Sequence, residues 1–197
     1  LSRQFLWIAL GGIALVVVLA LGVSELPGRH DATQQLRPLT AAQVSASLSG
    51  SPPALASLHA RGGRLLGGGS AALHTQLATL HGTPVVINKW ASWCGPCQSE
   101  RLTFQHAASS LGRRVAFLGI DSGDHSRSDA LAFIHATPPS YPSYYDPSNR
   151  LGTAVTDSSF MPVTVILNAR HEQFIHQGPY LSLAELERDI HRYGLSV

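Results

Sequence analysis

The chain has 197 residues, enough for one domain with appendages, and a formal net charge of +2. No basic cluster breaks that near-neutral balance, so nothing in it suggests a nucleic-acid partner, and only two cysteines are present.

Phe5 to Val23 is an uninterrupted apolar stretch without a charge. Nineteen helical residues at about 1.5 Å each span about 28 Å, close to the hydrocarbon thickness of a bilayer. The run is longer than the core of a cleavable signal peptide, so residues 1–23 are expected to be a single-pass transmembrane anchor. Arg3 favours a cytoplasmic amino terminus and places the rest of the chain outside the cell membrane. Residues 24–69 are expected to be a linker with short helices. Ser24 to Arg37 is polar with Pro27 and Gly28 and reads as a tether. Thr40 to Leu48 and Pro53 to Ala60 read as helices, the second with proline in its first turn. Gly62 to Gly69 lacks the Lys-Ser/Thr ending and the preceding strand of a phosphate loop and is expected to be a flexible connection.

Residues 70–197 alternate as an α/β domain does. Ala71 to Leu80 predicts a helix, the apolar run Pro84 to Trp90 a buried strand, and Gln98 to Leu111 a second helix without Gly or Pro. A strand is expected over Arg114 to Ile120, helices over Ser126 to Ala136 and Pro147 to Val155, and strands over Val163 to Leu167 and Phe174 to His176. An amphipathic helix from Leu183 to Tyr193 closes the chain. The first two strands, joined through a helix, should be parallel, and the last two, joined through the Asn168 to His171 turn, antiparallel.

The two cysteines lie in Trp93-Cys94-Gly95-Pro96-Cys97, at the junction between predicted strand and predicted helix. Cys94 would precede the first helical turn, where unpaired N–H groups and the positive end of the dipole favour a thiolate. Such a setting lowers a cysteine pKa from about 8.5 to roughly 3.5 to 7.5. Two other uses of the pair fit the sequence less well. A zinc site needs two more ligands, and the ten histidines are scattered from His30 to His191. A purely structural disulfide across so short a loop would remove little unfolded-state entropy.

The run from Val85 to Glu100 resembles the active-site segment of the thioredoxin superfamily, in particular its membrane-anchored TlpA/ResA-like branch, to which Glu100 points. Phe160 to Leu167 resembles that family's cis-proline loop and following strand, and Gln177-Gly178-Pro179-Tyr180 the turn before its last helix. The resemblance implies a thioredoxin fold, a mixed central sheet flanked by helices. Here it is preceded by a helical extension, where the family usually shows a short β-hairpin. It also implies an extracytoplasmic thiol-disulfide oxidoreductase that reduces selected protein disulfides, with cytochrome c maturation a common task. Electrons would come from a membrane thiol carrier. No cofactor is expected beyond the redox-active Cys94–Cys97 pair, and a monomer is expected. The alternative is a copper or assembly chaperone using both thiols as ligands, although soft-metal chaperones of this fold favour wider cysteine spacing with a nearby histidine.

Roles follow from the resemblance together with helix geometry. Cys94 is the expected nucleophile and Cys97 the resolving thiol. Thioredoxins carry a buried Asp six residues before the first cysteine. Asn88 stands there in this chain and cannot titrate. Glu100, one turn beyond Cys97 on the same face, is therefore the expected proton acceptor. Trp93, Gly95, Pro96, Met161 and Pro162 are expected to contact substrate. The Met161–Pro162 bond is expected to be cis, and the Met161 backbone to pair with an extended segment. Trp93 is read as a shield for the motif and Trp90 as core. Lys89, the only lysine, is expected to send its ammonium to solvent in preference to pairing with Asp121.

Overall fold

The structure, a computed structural model, describes residues 36–195. The expected anchor over residues 1–23 and most of the tether lie outside the described residues. Among the described residues no helix is long and apolar enough to cross a membrane.

The elements run α1 (Ala41–Leu48), α2 (Pro53–His59), β1 (Leu65–Leu66), α3 (Gly69–Thr79), β2 (Val85–Trp90), α4 (Gly95–Leu111), β3 (Ala116–Ser122), α5 (Arg127–Ala136), β4 (Ser143–Asp146), α6 (Arg150–Thr156), β5 (Val163–Leu167), β6 (Gln173–Gln177) and α7 (Leu183–Asp189). Six strands form one sheet in the order β1-β4-β3-β2-β5-β6. The β2–β3 pair is parallel and the β5–β6 pair antiparallel, as connection length predicts. β5 also lies antiparallel to β2, so the sheet is mixed.

Local sequence accounts for much of this. Thr40 accepts from Gln43 N–H, while the Gln43 side chain reaches back to the Thr40 backbone, closing a capping box on α1. Pro53 opens α2 where its missing N–H costs nothing. At the β5–β6 turn, Asn168 Oδ1 accepts from the backbones of Arg170 and Glu172, so a side chain replaces missing ladder bonds.

Three features differ from the sequence reading. The glycine-rich segment contributes β1, whose two residues pair parallel with β4, so it is not merely a connection. β4 has no signal in the sequence, because Ser143-Tyr144-Tyr145-Asp146 has no apolar alternation. It is a strand because β3 supplies its ladder on one side and β1 on the other. The last helix loses α-geometry at Ile190 and ends in a π-helical turn, Ile190–Gly194. There Gly194 is packed so that a Cβ would lie 3.1 Å from Ile166 Cγ2.

Every residue of β2 is buried, which requires cover on both faces of the sheet. One face packs Val85 and Ile87 with Leu58, Leu73, Leu118, Leu151 and Val165. The other packs Val86 with Phe104, Leu111, Phe117, Ile166 and Leu186. Leu55 and Leu58 of α2 are almost wholly buried in the first cluster, so the segment before residue 70 contributes core side chains. The alternation of β2 therefore aims Asn88 and Trp90 towards α4 and α5, and Lys89 towards α6.

Candidate active site

β2 ends at Trp90, and α4 begins after four intervening residues. Cys94 is the N-cap of α4, with extended backbone, and its sulfur accepts from Cys97 N–H at 3.2 Å. Gly95 and Pro96 fill the first helical positions, where proline is tolerated, and both are exposed. Cys94 and Cys97 are joined, with an S–S distance of 1.99 Å and a Cα–Cα separation of 5.2 Å. Cys94 is 5% exposed and Cys97 1%. The outer cysteine is thus only slightly more open than the inner one.

Trp90, Ala91, Cys94 and Cys97 share an apolar cluster with Ala130 and Ile134, and Met161 packs against it. Trp90 is core, stacked on Phe133 at 4.5 Å between ring centroids. Trp93 turns outwards with 53% of its surface exposed; its indole N–H donates to Gly123 O and its ring stacks on His125. The Met161–Pro162 bond is cis, and Pro162 O accepts from Gly178 N–H at 3.0 Å. The disulfide, Met161 and Pro162 therefore lie together at one end of the sheet. Phe160, 67% exposed, sits beside them in sequence.

Glu100 is 1% exposed. Its two oxygens are both held: Oε1 accepts from Asn88 Nδ2 at 2.7 Å and Oε2 from Tyr180 N–H at 3.0 Å. Burial raises its pKa to about 7, and the Asn88 and Tyr180 hydrogen bonds offset part of that rise. Cys97 and Glu100 both line a cavity of about 30 Å³, together with Asn88, Arg101, Tyr141 and Ser143. That volume has room for a water molecule among polar groups.

Cys94, Cys97 and Met161 therefore share one cluster and Cys97 and Glu100 one cavity, whereas Trp93 turns away from them, and the structure adds partners the sequence reading does not name. In sequence Tyr180 is only part of a turn, yet its N–H is one of two donors to Glu100. Asp124 accepts from both Ser92 N–H and Ser92 Oγ, fixing the loop before Cys94. Lys89 neither reaches solvent nor pairs with Asp121. It is fully buried, and Nζ donates to Ser158 O at 2.7 Å. Burial lowers its pKa, and the charge of Asp146 offsets this in part. Ser158 Oγ in turn accepts from Phe160 N–H, so the lysine ties β2 to the segment that leads into Met161 and Pro162. No motif encodes this link. A lone lysine inside a strand whose every position needs cover was the available signal.

A mixed sheet flanked by helices, with a cysteine pair capping a helix beside a cis proline, defines a thioredoxin-like protein of the thiol-disulfide exchange type. The chain belongs to the AhpC/TSA family, whose model matches residues 70–170. It is 36% identical over 74 residues to a thiol:disulfide interchange protein DsbE of Allochromatium vinosum, a match covering 37% of this chain and 39% of that relative. Among solved structures, a secreted Mycobacterium tuberculosis disulfide oxidoreductase homologous to E. coli DsbE superposes with a TM-score of 0.53 at 20% identity, covering 58% of this chain and 85% of that one. A DsbF homologue from Corynebacterium diphtheriae gives a TM-score of 0.50 at 27% identity, covering 59% and 75%.

Proposed function

We propose that this protein is a thiol-disulfide oxidoreductase working through Cys94 and Cys97, tethered outside the cell membrane by the apolar segment at residues 5–23. The observation that carries the reading is the shared cavity. The inner sulfur and a buried carboxyl with a pKa of about 7 face one small space. A carboxyl poised near neutrality is suited to accept a thiol proton at physiological pH.

In the reductive direction the pair starts as a dithiol, reduced by a membrane thiol carrier. The Cys94 thiolate attacks a cystine in the protein substrate, forming a mixed disulfide and releasing one substrate thiolate. Cys97 then loses its proton to Glu100, directly or through a water in the cavity, and its thiolate attacks the Cys94 sulfur. The mixed disulfide breaks, the second substrate thiolate leaves and takes up a proton, and the Cys94–Cys97 disulfide is formed. Two electrons pass to substrate. The α4 N-terminus favours the Cys94 thiolate, and the exposed Gly95-Pro96 turn leaves room for a partner. Met161, next to the cis proline, offers its backbone to an extended substrate segment. The description of one relative as a thiol:disulfide interchange protein supports disulfide exchange; a cysteine pair awaiting haem attachment is the substrate class that the branch resemblance implies.

The test is insulin reduction with single-cysteine variants. Cys94→Ser should abolish exchange, and Cys97→Ser should accumulate a mixed disulfide. Equal inactivity without a trapped adduct in either variant, combined with tight Cu(I) binding by the parent dithiol, would replace this reading with the chaperone alternative.

A further inference from the structure

Lys89 is the only lysine of the chain, and it stands in β2 with no exposed surface. A lysine is almost never fully buried unless something holds its ammonium. Its stem runs between β2 and α6 through a gap that a glycine leaves: a Cβ added at Gly152 would lie 2.9 Å from Lys89 Cε. Asp146 secures the first turn of α6, its Oδ2 accepting from Gly152 N–H at 2.8 Å. Nζ donates to Ser158 O at 2.7 Å, and Thr156 Oγ1 donates to the same carbonyl at 3.2 Å.

That carbonyl belongs to the segment that enters the disulfide site. The chain leaves α6 through Asp157, whose φ of 48° is left-handed, and reaches β5 at Val163. Among residues 157–161 Ser158 alone is buried; Asp157, Ser159 and Phe160 are exposed and Met161 is half-buried. Phe160 N–H turns back to Ser158 Oγ at 3.1 Å, and the far end is held by Gly178 N–H, which donates to Pro162 O at 3.0 Å. Met161, between these two holds, makes no backbone hydrogen bond among the described residues, and its side chain packs against the cluster that contains Cys94 and Cys97. Its N–H and C=O are therefore open to an extended chain laid beside the disulfide.

We propose that Lys89 is a positioning residue for polypeptide substrates: from inside the sheet it fixes the segment from Ser158 to Met161, so that the Met161 backbone meets an extended substrate strand already ordered. This rests on the oxidoreductase reading and names the part of that activity the lysine serves. The Lys89 side chain lies on the face of the sheet turned to α6, whereas Asn88 and its partner Glu100 lie on the other. Its contribution is to affinity for a substrate that carries peptide backbone, and the chemistry of attack by Cys94 does not involve it. Without the anchor, the segment must be ordered when substrate binds, and that cost is subtracted from affinity.

The experiment uses the reduced full chain in single turnovers and two probes that hold the same chromogenic aromatic thiol in disulfide linkage. In one the thiol is joined to the cysteine of an extended linear peptide, and in the other to N-acetylcysteine amide, which has no flanking residues. Attack by the Cys94 thiolate on the probe's cysteine sulfur releases the coloured thiolate in both cases. The parent should react faster with the peptide. Lys89→Met keeps the stem and removes the donor; it should raise the half-saturating peptide concentration on the order of 10-fold with the maximal rate held, and leave the amide probe at the parent rate. Ser158→Ala frees Phe160 N–H while the lysine keeps its carbonyl, and should lose part of the same preference, so the inference stays testable if Lys89→Met does not fold. A parent that does not prefer the peptide, an unchanged preference in Ser158→Ala or in folded Lys89→Met, or an equal fall on both probes in folded Lys89→Met overturns the inference alone. Attack on neither probe by the parent overturns the oxidoreductase reading, and the inference with it.

Discussion

Replacing Glu100 by Gln keeps the shape of a buried side chain and removes its charge. The new amide can be satisfied: its oxygen takes the Tyr180 N–H, and its NH₂ faces Asn88, whose own amide can rotate to present oxygen. The folded state holds the Glu100 proton more tightly than the unfolded chain, with a pKa of about 7 against 4.5. A carboxyl raised in this way contributes stability in full below the unfolded pKa, and that contribution is lost as pH rises through the folded pKa. The difference of about 2.5 units at 1.36 kcal/mol each comes to about 3 kcal/mol. Oxidised parent protein should therefore lose up to about 3 kcal/mol between pH 4 and pH 8 relative to Glu100→Gln in urea denaturation. The same substitution should slow resolution of the mixed disulfide, by on the order of 10²- to 10⁴-fold where proton transfer limits the step, and leave the first attack by Cys94 largely intact. Stopped-flow measurement of both steps from pH 5 to pH 8 separates them. The parent resolution rate should climb through pH 7 and the variant should lack that limb. Identical resolution profiles would show that Glu100 is a buried acid with no part in the proton transfer.

Asn88→Asp would exchange a donor to Glu100 for a second acid, so the two carboxyls must share a proton, and the acid limb of the resolution step should move to higher pH. Lys89→Met should cost about 1 to 3 kcal/mol through loss of the Ser158 bond, read by denaturation, and should speed amide exchange from Ser158 to Phe160. Parent stability should also rise with pH as Lys89 deprotonates, because its folded pKa is depressed, whereas the Met variant should lack that gain. Gly119→Ala would drive a Cβ into Ser143 Oγ and within 2.8 Å of Trp90 Nε1, and should destabilise the fold by about 1 to 3 kcal/mol while breaking the Trp90–Ser143 hydrogen bond. Unchanged melting of that variant would mean the sheet yields there more easily than its packing implies.

Much of the fold was legible in the residues because local physics fixes it. The β-branched run of β2, the proline at the start of α2 and the short β5–β6 turn each dictate one local conformation. The two cysteines advertised their chemistry by spacing alone. Glu100 was nominated by the branch resemblance together with helix periodicity, since residues three apart share a face. What the sequence could not carry was the partner on the far side of a contact. β4 has no alternating pattern and exists because β3 and β1 supply its hydrogen bonds. Lys89 looks like any solvent-seeking lysine until the fold covers both faces of β2 and leaves its ammonium only Ser158 O and the charge of Asp146. The charge state of a buried acid is likewise decided by what surrounds it. Glu100 and Asp121 are ordinary carboxyls in sequence, and only packing raises their pKa to about 7 and about 9. Desolvation depends on neighbours distant along the chain, and those neighbours are brought there by tertiary structure.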